Sequence, residues 1–313
     1  MSHGKVNNKT ITFMGLTGVI VFFVVAFFWA ISDNGNGRRF ERTNVSFALQ
    51  SPSWWFHPDN EEGQLQSAKK TITLFGTDQL GRDLFARCVV GGAISVCVGL
   101  FAACIAVFVG TIWGTIAGMY GGKIDSAMMR CVDVLYGLPS IMLVVLITVA
   151  ANSVIQGNVL SSTPAKETVN VIALIFAIGV VSWLTVSRVI RGQVRSIVAR
   201  PAMEACKVIG VGPIRTFTHH LFPSLLGSIL VYATLTVPTA ILSEAFLSFL
   251  GIGIREPLPS WGNLAADGLG QLNPVHSRWW LLFWPCLCIA TTLIAMNFVG
   301  QLFQKRVDPR FTS

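Results

Sequence analysis

From Cys88 to Gly122 the chain carries no charged side chain. A helix perpendicular to a bilayer needs only about 20 apolar residues to cross it. A soluble helix needs a polar face, and this run has none. Five more runs share the property: Ile11–Ile31, Leu138–Ala151, Val169–Ser187, Leu225–Ser243 and Trp279–Gln304. Only 12% of the 313 residues are charged and 52% are apolar, against about 25% charged in ordinary soluble domains. The pattern predicts an all-α polytopic membrane protein with six transmembrane helices. The second lies near Ile94–Ile116, its first turns interfacial. Ile11–Ile31 is longer than the apolar core of a signal peptide, about 7–15 residues, and is read as the first span.

The formal charge of +8 invites a nucleic-acid reading, but its distribution argues otherwise. Arg188, Arg191, Arg195, Arg200, Lys207 and Arg215 share one inter-span loop, and Lys305, Arg306 and Arg310 share the tail. Six spans with both termini inside put both groups on the cytoplasmic side, as the positive-inside rule requires. The loop also lacks the interleaved aromatics of a single-strand binder. The chain then divides into a cytoplasmic N-terminus with the first span (1–31), an outer loop (32–87) and a five-helix core (88–313). The outer loop mixes both signs, and Ser53-Trp54-Trp55-Phe56 suits an interfacial anchor there. Lys123–Asp133 reads as a short inner turn and Asn152–Thr168 as a polar outer loop.

Several chemistries are excluded. The seven cysteines are odd in number, lie in or beside apolar runs and fit no zinc spacing; they read as small packing residues. Gly121-Gly122-Lys123 lacks both the earlier glycine and the following Ser or Thr of a phosphate loop, since Ala117 and Ile124 stand there. The chain is expected to bind no nucleotide itself. His219-His220 and Glu204 form the one polar cluster that a membrane hydrolase could use. Adjacent helical positions diverge by about 100°, so this cluster does not converge, and no metal site is expected.

Arg200–Pro223 is a polar, basic island between two apolar runs. Met203–Ile209 reads as a short helix of good formers, stopped at Gly210. Gly212-Pro213 is a second break, Ile214–His220 a second amphipathic turn, and Pro223 opens the next span. Two short helices bent at a glycine make a knob, and a knob needs a socket on another protein. Inside the following span, Pro238 removes a backbone hydrogen bond. Glu244, near its end, is costly at hydrocarbon depth and so is a candidate for the translocation path.

Glu204-Ala205-Cys206, Gly210 and Pro223 resemble the EAA loop of permease subunits of bacterial ABC importers, with Cys206, His220 and Phe222 departing from its pattern. Phe75–Arg87 resembles the signature L-G-T-D-x-x-G-R-D-x-x-S-R of the dipeptide/oligopeptide branch, matched by Gly76, Thr77, Asp78, Gly81, Arg82 and Asp83. Gly91-Gly92-Ala93 stands where the family often continues G-A-R. Met129-Arg130-Cys131-Val132-Asp133 with Pro139 resembles M-R-x-x-D…P. Leu247–Ile254 followed by Pro257–Asn263 resembles L-S-F-L-G-[LI]-G-x-x-x-P-x-P-S-W-G-x. Ser260 and Trp261 fall in that last stretch, read as outer-gate candidates in tight turns with Trp261 as a membrane-belt residue. The tail matches at Asn297, Gly300, Asp308, Pro309 and Arg310 and departs at Gln301, Lys305 and Arg306.

The resemblance implies a permease subunit of an ATP-driven importer in the bacterial inner membrane, most directly of di- and oligopeptides. Its partners would be a second homologous permease, two cytoplasmic ATPase subunits gripping the 200–223 loop, and a periplasmic substrate-binding protein. ATP and magnesium would sit on the ATPases. Glu204 and Gly210 would couple, the first by charge and the second by its bend. The chain itself would carry out no covalent chemistry. A nickel chelate or other solute is the alternative cargo. A self-sufficient secondary transporter or channel is the alternative class, disfavoured by the absence of an internal repeat and of several intramembrane charges.

Overall fold

The computed structural model describes residues 32, 38–55, 73–157, 163–273 and 277–307. The expected first span, Ile11–Ile31, lies outside the described residues, as do Phe56 and the tail residues Asp308, Pro309 and Arg310. The described residues form helices joined by short turns, with isolated bridges at Thr77–Asp83 and Leu272–Ser277. In chain order the helices are α1 (Leu84–Tyr120), α2 (Gly122–Tyr136), α3 (Ser140–Gly157), α4 (Thr163–Val198), α5 (Pro201–Val208), α6 (Pro213–Thr216), α7 (Phe222–Phe249), α8 (Trp261–Leu269) and α9 (Trp280–Val307). Among the described residues, four stretches are long and apolar enough to cross a membrane: α1, Glu167–Val198, Ile214–Phe249 and Trp280–Leu302. A fifth arises if α2 and α3, bent by 86°, form one broken span.

Several boundaries differ from the sequence expectation, always by extension of a helix through polar residues. The helix of the fourth span does not end with its apolar run at Ser187. α4 continues to Val198 because nothing in 188–198 breaks a helix: Ile190, Val194 and Ile197 are buried, while Arg191 and Arg195 keep partly or mostly exposed heads. Lys123–Asp133 is not a turn but most of α2, an amphipathic helix with Met129 and Val132 buried. The second short helix of the basic island is no separate element. α6 runs through a π-helical turn at Phe217–Leu221 straight into α7. Pro223 offers no N–H to the preceding turn. The backbone widens there, and Phe222 N donates instead to Phe217 O.

Two compact units result. Among the described residues, one comprises those up to Ile94 together with those of Glu256–Cys288; the other comprises those of Ser95–Arg255 and those from Ile289 on. In the second unit, glycines let helices approach closely. A Cβ on Gly110, Gly114 or Gly118 would meet Val186, the Ser187 carbonyl oxygen and Val194 at 2.5–2.8 Å, so α1 and α4 pack nearly backbone to backbone. In the first unit the core joins Leu84, Cys88, Leu264, Trp280 and Leu281. Phe40 closes a second cluster on Ala86, Val89 and Val90. Trp55, expected at an interface, meets Trp279 edge-on at 5.3 Å, and Trp284 stacks on Phe75 at 3.9 Å.

Candidate functional site

The basic island builds a projecting loop on a buried footing. Pro201 starts α5, where a proline costs nothing because the first N–H is unbonded anyway. Gly210 ends it with φ +79°, and Val211 N reaches back to Cys206 O at 3.0 Å, the long bond of a glycine C-cap. Met203 is buried and joins Val186, Ile190, Val194, Ile197, Leu221 and Leu225 in one cluster. Burying a side chain of this size contributes about 1.5–3 kcal/mol, and here it fastens α5 to the ends of α4 and α7. Glu204, Ala205 and Gly210 are exposed and Cys206 is half-buried. Val208, Ile209 and Ile214 are 88%, 78% and 80% exposed. A contiguous apolar tip of this kind, flanked by Glu204, is the mark of an interaction surface.

The signature stretch forms a different kind of site. Gly76 and Gly81 both take positive φ, and Thr77 pairs with Asp83 across the turn they enclose. Residues 44–50 lace onto it. Thr77 Oγ1 donates to Phe47 O at 2.5 Å and accepts from Gln50 N at 2.8 Å, while Asn44 N donates to Leu80 O at 3.0 Å. Asp83 accepts from Phe85 N at 2.9 Å and so caps α1. The turn presents Asp78, which accepts from the backbone N–H groups of Leu80 and Arg82 at 2.9 and 2.8 Å. It also accepts from Arg82 Nε at 2.6 Å and Arg87 Nη1 at 2.5 Å. Both arginines reach on to Glu256 Oε1, at 2.6 and 3.0 Å.

Arg82 and Arg87 are nearly sealed from solvent, Arg87 at 1% exposure. Buried guanidinium groups require such pairing. Burial opposes the charge of Glu256, but the hydrogen bonds and charges of Arg82 and Arg87 outweigh it and hold the carboxyl below its ordinary value. Asp267 faces the same pocket, of about 230 Å³. Burial lifts its carboxyl above the ordinary range, against the pull of Arg87. Glu256 occupies an unspecified position of its motif, so nothing in the sequence marked it as the partner of residues some 170 positions earlier.

Ser260 and Trp261 belong to this unit's interior. Ser260 is the N-cap of α8 and forms a capping box with Asn263: Asn263 N donates to Ser260 Oγ at 3.3 Å and Ser260 N to Asn263 Oδ1 at 2.9 Å. Trp261 is not a belt residue. It is 1% exposed and donates its indole N–H to Cys88 O at 2.9 Å. A Cβ on Gly92 would lie 2.4 Å from the Trp261 ring; the glycine in Gly91-Gly92-Ala93 is what admits the indole.

Glu244 is wholly buried in α7. Its Oε1 accepts from Ser248 Oγ one turn on at 2.7 Å, and Ser248 Oγ accepts in turn from Ile254 N at 3.0 Å. The carboxylate is thereby linked to the tight turn at Gly251–Gly253. Pro238 is also buried within α7. Neither lines a cavity of about 590 Å³ between α3, α4 and α7. Among the described residues its wall carries no charge. Its polar groups are hydroxyls, among them Tyr136, Ser182, Thr236, Thr239 and Ser243. Thr236, Thr239 and Ser243 donate to carbonyls of their own helix at 2.7–2.9 Å.

Residues 110–313 match the family described as "Binding-protein-dependent transport system inner membrane component". The dipeptide transport system permease protein DppC of Bacillus subtilis (strain 168) is 42% identical over 75% of this chain and 68% of its own. The oligopeptide transport system permease protein OppC of Escherichia coli (strain K12) is 36% identical over 94% of this chain and 86% of its own. Among solved structures, an inward-facing form of the MetNI methionine ABC transporter superposes with a TM-score of 0.50 at 16% identity, covering 71% of this chain and 96% of that one. The last comparison speaks to the fold alone.

Proposed function

Because the chain belongs to the family of binding-protein-dependent transport system inner membrane components, we propose that it is the permease subunit of an ATP-driven importer of di- or oligopeptides. The family is one of multi-pass membrane proteins that work with ATPase and substrate-binding partners. In the detailed reading, six spans with both ends inside cross the bacterial inner membrane beside a second permease. Two ATPase subunits hold ATP and magnesium, and a periplasmic protein delivers the peptide.

The observation that carries the reading is the α5 loop: an exposed tip of Glu204, Ala205, Val208 and Ile209, closed by Gly210, on a Met203 footing shared by α4 and α7. A load applied to that tip enters the ends of two membrane helices directly. Nucleotide that closes the ATPases shifts the spans between two packings, as it must bind one of them better than the other. Relatives named for dipeptide and oligopeptide transport support the cargo.

The test is purification of the complex in mild detergent and ATP-driven uptake of a labelled dipeptide after reconstitution in vesicles. Wild type should bring two ATPases and a second permease and import the peptide. Gly210→Pro, which cannot take φ +79°, should lose the ATPases or their coupling. A chain that purifies without any ATPase and moves no peptide overturns the reading in favour of a secondary transporter or channel.

A further inference from the structure

The end of α4 is gripped on two faces. One face, Ile190, Val194 and Ile197, holds the Met203 footing of the coupling loop. The other holds α2. There Asp125, 4% exposed, accepts from Arg191 Nε and, at 2.6 Å, from Arg191 Nη2, with Arg195 Nη1 at 3.5 Å. Farther along, Arg188 donates to Asp133 at 2.7 Å and lies 3.9 Å over the Tyr136 ring. Met129 and Val132 share a buried cluster with Trp183 and Leu184 of α4. The arginines at 188, 191 and 195 follow helical spacing, so one short stripe of α4 faces α2. α2 then delivers Tyr136, Leu138 and Pro139 to the wall of the 590 Å³ cavity.

We propose that Asp125 is a positioning residue for transport: its forked bond to Arg191 ties α2 to α4, so that displacement of the coupling loop moves the mouth of the hydroxyl-lined cavity. The proposal rests on the importer reading. A bidentate carboxylate–guanidinium pair fixes orientation as well as distance, which a purely apolar contact between two amphipathic helices does not. On the arginine side the pair is also not needed to bury a charge. The Arg191 side chain is 29% exposed and Arg195 60%, so both can turn to water when Asp125 is changed. Loss of the carboxylate then loosens the link without unfolding the bundle.

The experiment uses the reconstituted complete importer, with uptake of a labelled dipeptide and ATP hydrolysis measured side by side, and thermal melting as a control. Asp125→Asn and Arg191→Lys, the latter keeping the charge and losing the fork, should cut peptide moved per ATP by roughly 5- to 100-fold, the range of ordinary coupling between sites. Hydrolysis and melting should stay near wild type. Asp125→Glu, which restores a carboxylate, should recover part of the loss. Variants that lose uptake and hydrolysis in parallel, that melt early, or that keep full uptake per ATP overturn the latch. A wild-type complex that imports nothing overturns the importer reading itself, and the latch falls with it.

Discussion

The signature turn at Gly76–Arg87 and the coupling loop at Pro201–Gly212 both rest on glycines and charged residues, yet they use them in opposite ways. At Gly81 a Cβ would sit 1.9 Å from the Asn44 carbonyl oxygen; at Gly210 it would meet nothing within 4 Å. Asp78 is buried and accepts from two guanidinium groups; Glu204 is exposed. The first region spends its special residues on holding itself together. The second leaves its glycine and its carboxylate open to solvent, as the contact surface we propose would require. A family motif can therefore mark a scaffold or a contact, and burial tells the two apart.

Substitutions test this contrast. The largest effect should come from Asp78→Ala, which strands Arg87 with only Glu256. Removing one partner of a buried pair costs about 3–5 kcal/mol, read as a large fall in melting temperature of the purified complex. Gly81→Ala should follow, by roughly 2–5 kcal/mol, since positive φ costs an L-residue about 1–2 and overpacking about 1–3; recovery of folded complex is the readout. Gly210→Ala has only the first of these costs, about 1–2 kcal/mol, and it should show in transport more than in melting. An equal loss of stability at Gly81 and Gly210 would erase the distinction.

The smallest effect should be at Glu256. Its folded carboxyl titrates below the ordinary value of about 4.3. Its stabilisation is therefore present above that pH and is lost as pH falls through the lower folded value. The side chain is 48% exposed, so the contribution is at most about 1 kcal/mol. Glu256→Gln should melt slightly below wild type at neutral pH, and the difference should close in acid. A difference that widens in acid would show that the arginines do not hold this carboxylate.

Local chemistry was legible. Gly210 as a helix stop, the tight Gly251–Gly253 turn, the apolar runs and the loop motif each depend on residues within a few positions of one another. Helix ends were less so. Arg188–Val198 and Lys123–Asp133 look like loops when charge alone is counted, and become helices because their apolar positions, Ile190, Val194, Met129 and Val132, meet partners from elsewhere in the chain. Trp261 shows the same limit. An indole in a glycine- and proline-rich stretch suits a membrane interface equally well, and only Gly92 and the Cys88 carbonyl account for its burial.

The sequence by itself determined that this is a helical membrane protein, because an uncharged run longer than a bilayer is thick has few other places to go. It also determined the family, through motifs whose spacing survives without any knowledge of contacts. Only the tertiary structure decided which charges meet: Asp78 with Arg87 and Glu256, and Asp125 with Arg191. The physical reason is that hydrophobicity and helix-stop chemistry act over a few residues and leave a local record. An ion pair between distant helices is set by their packing, and the sequence carries only its two separate halves.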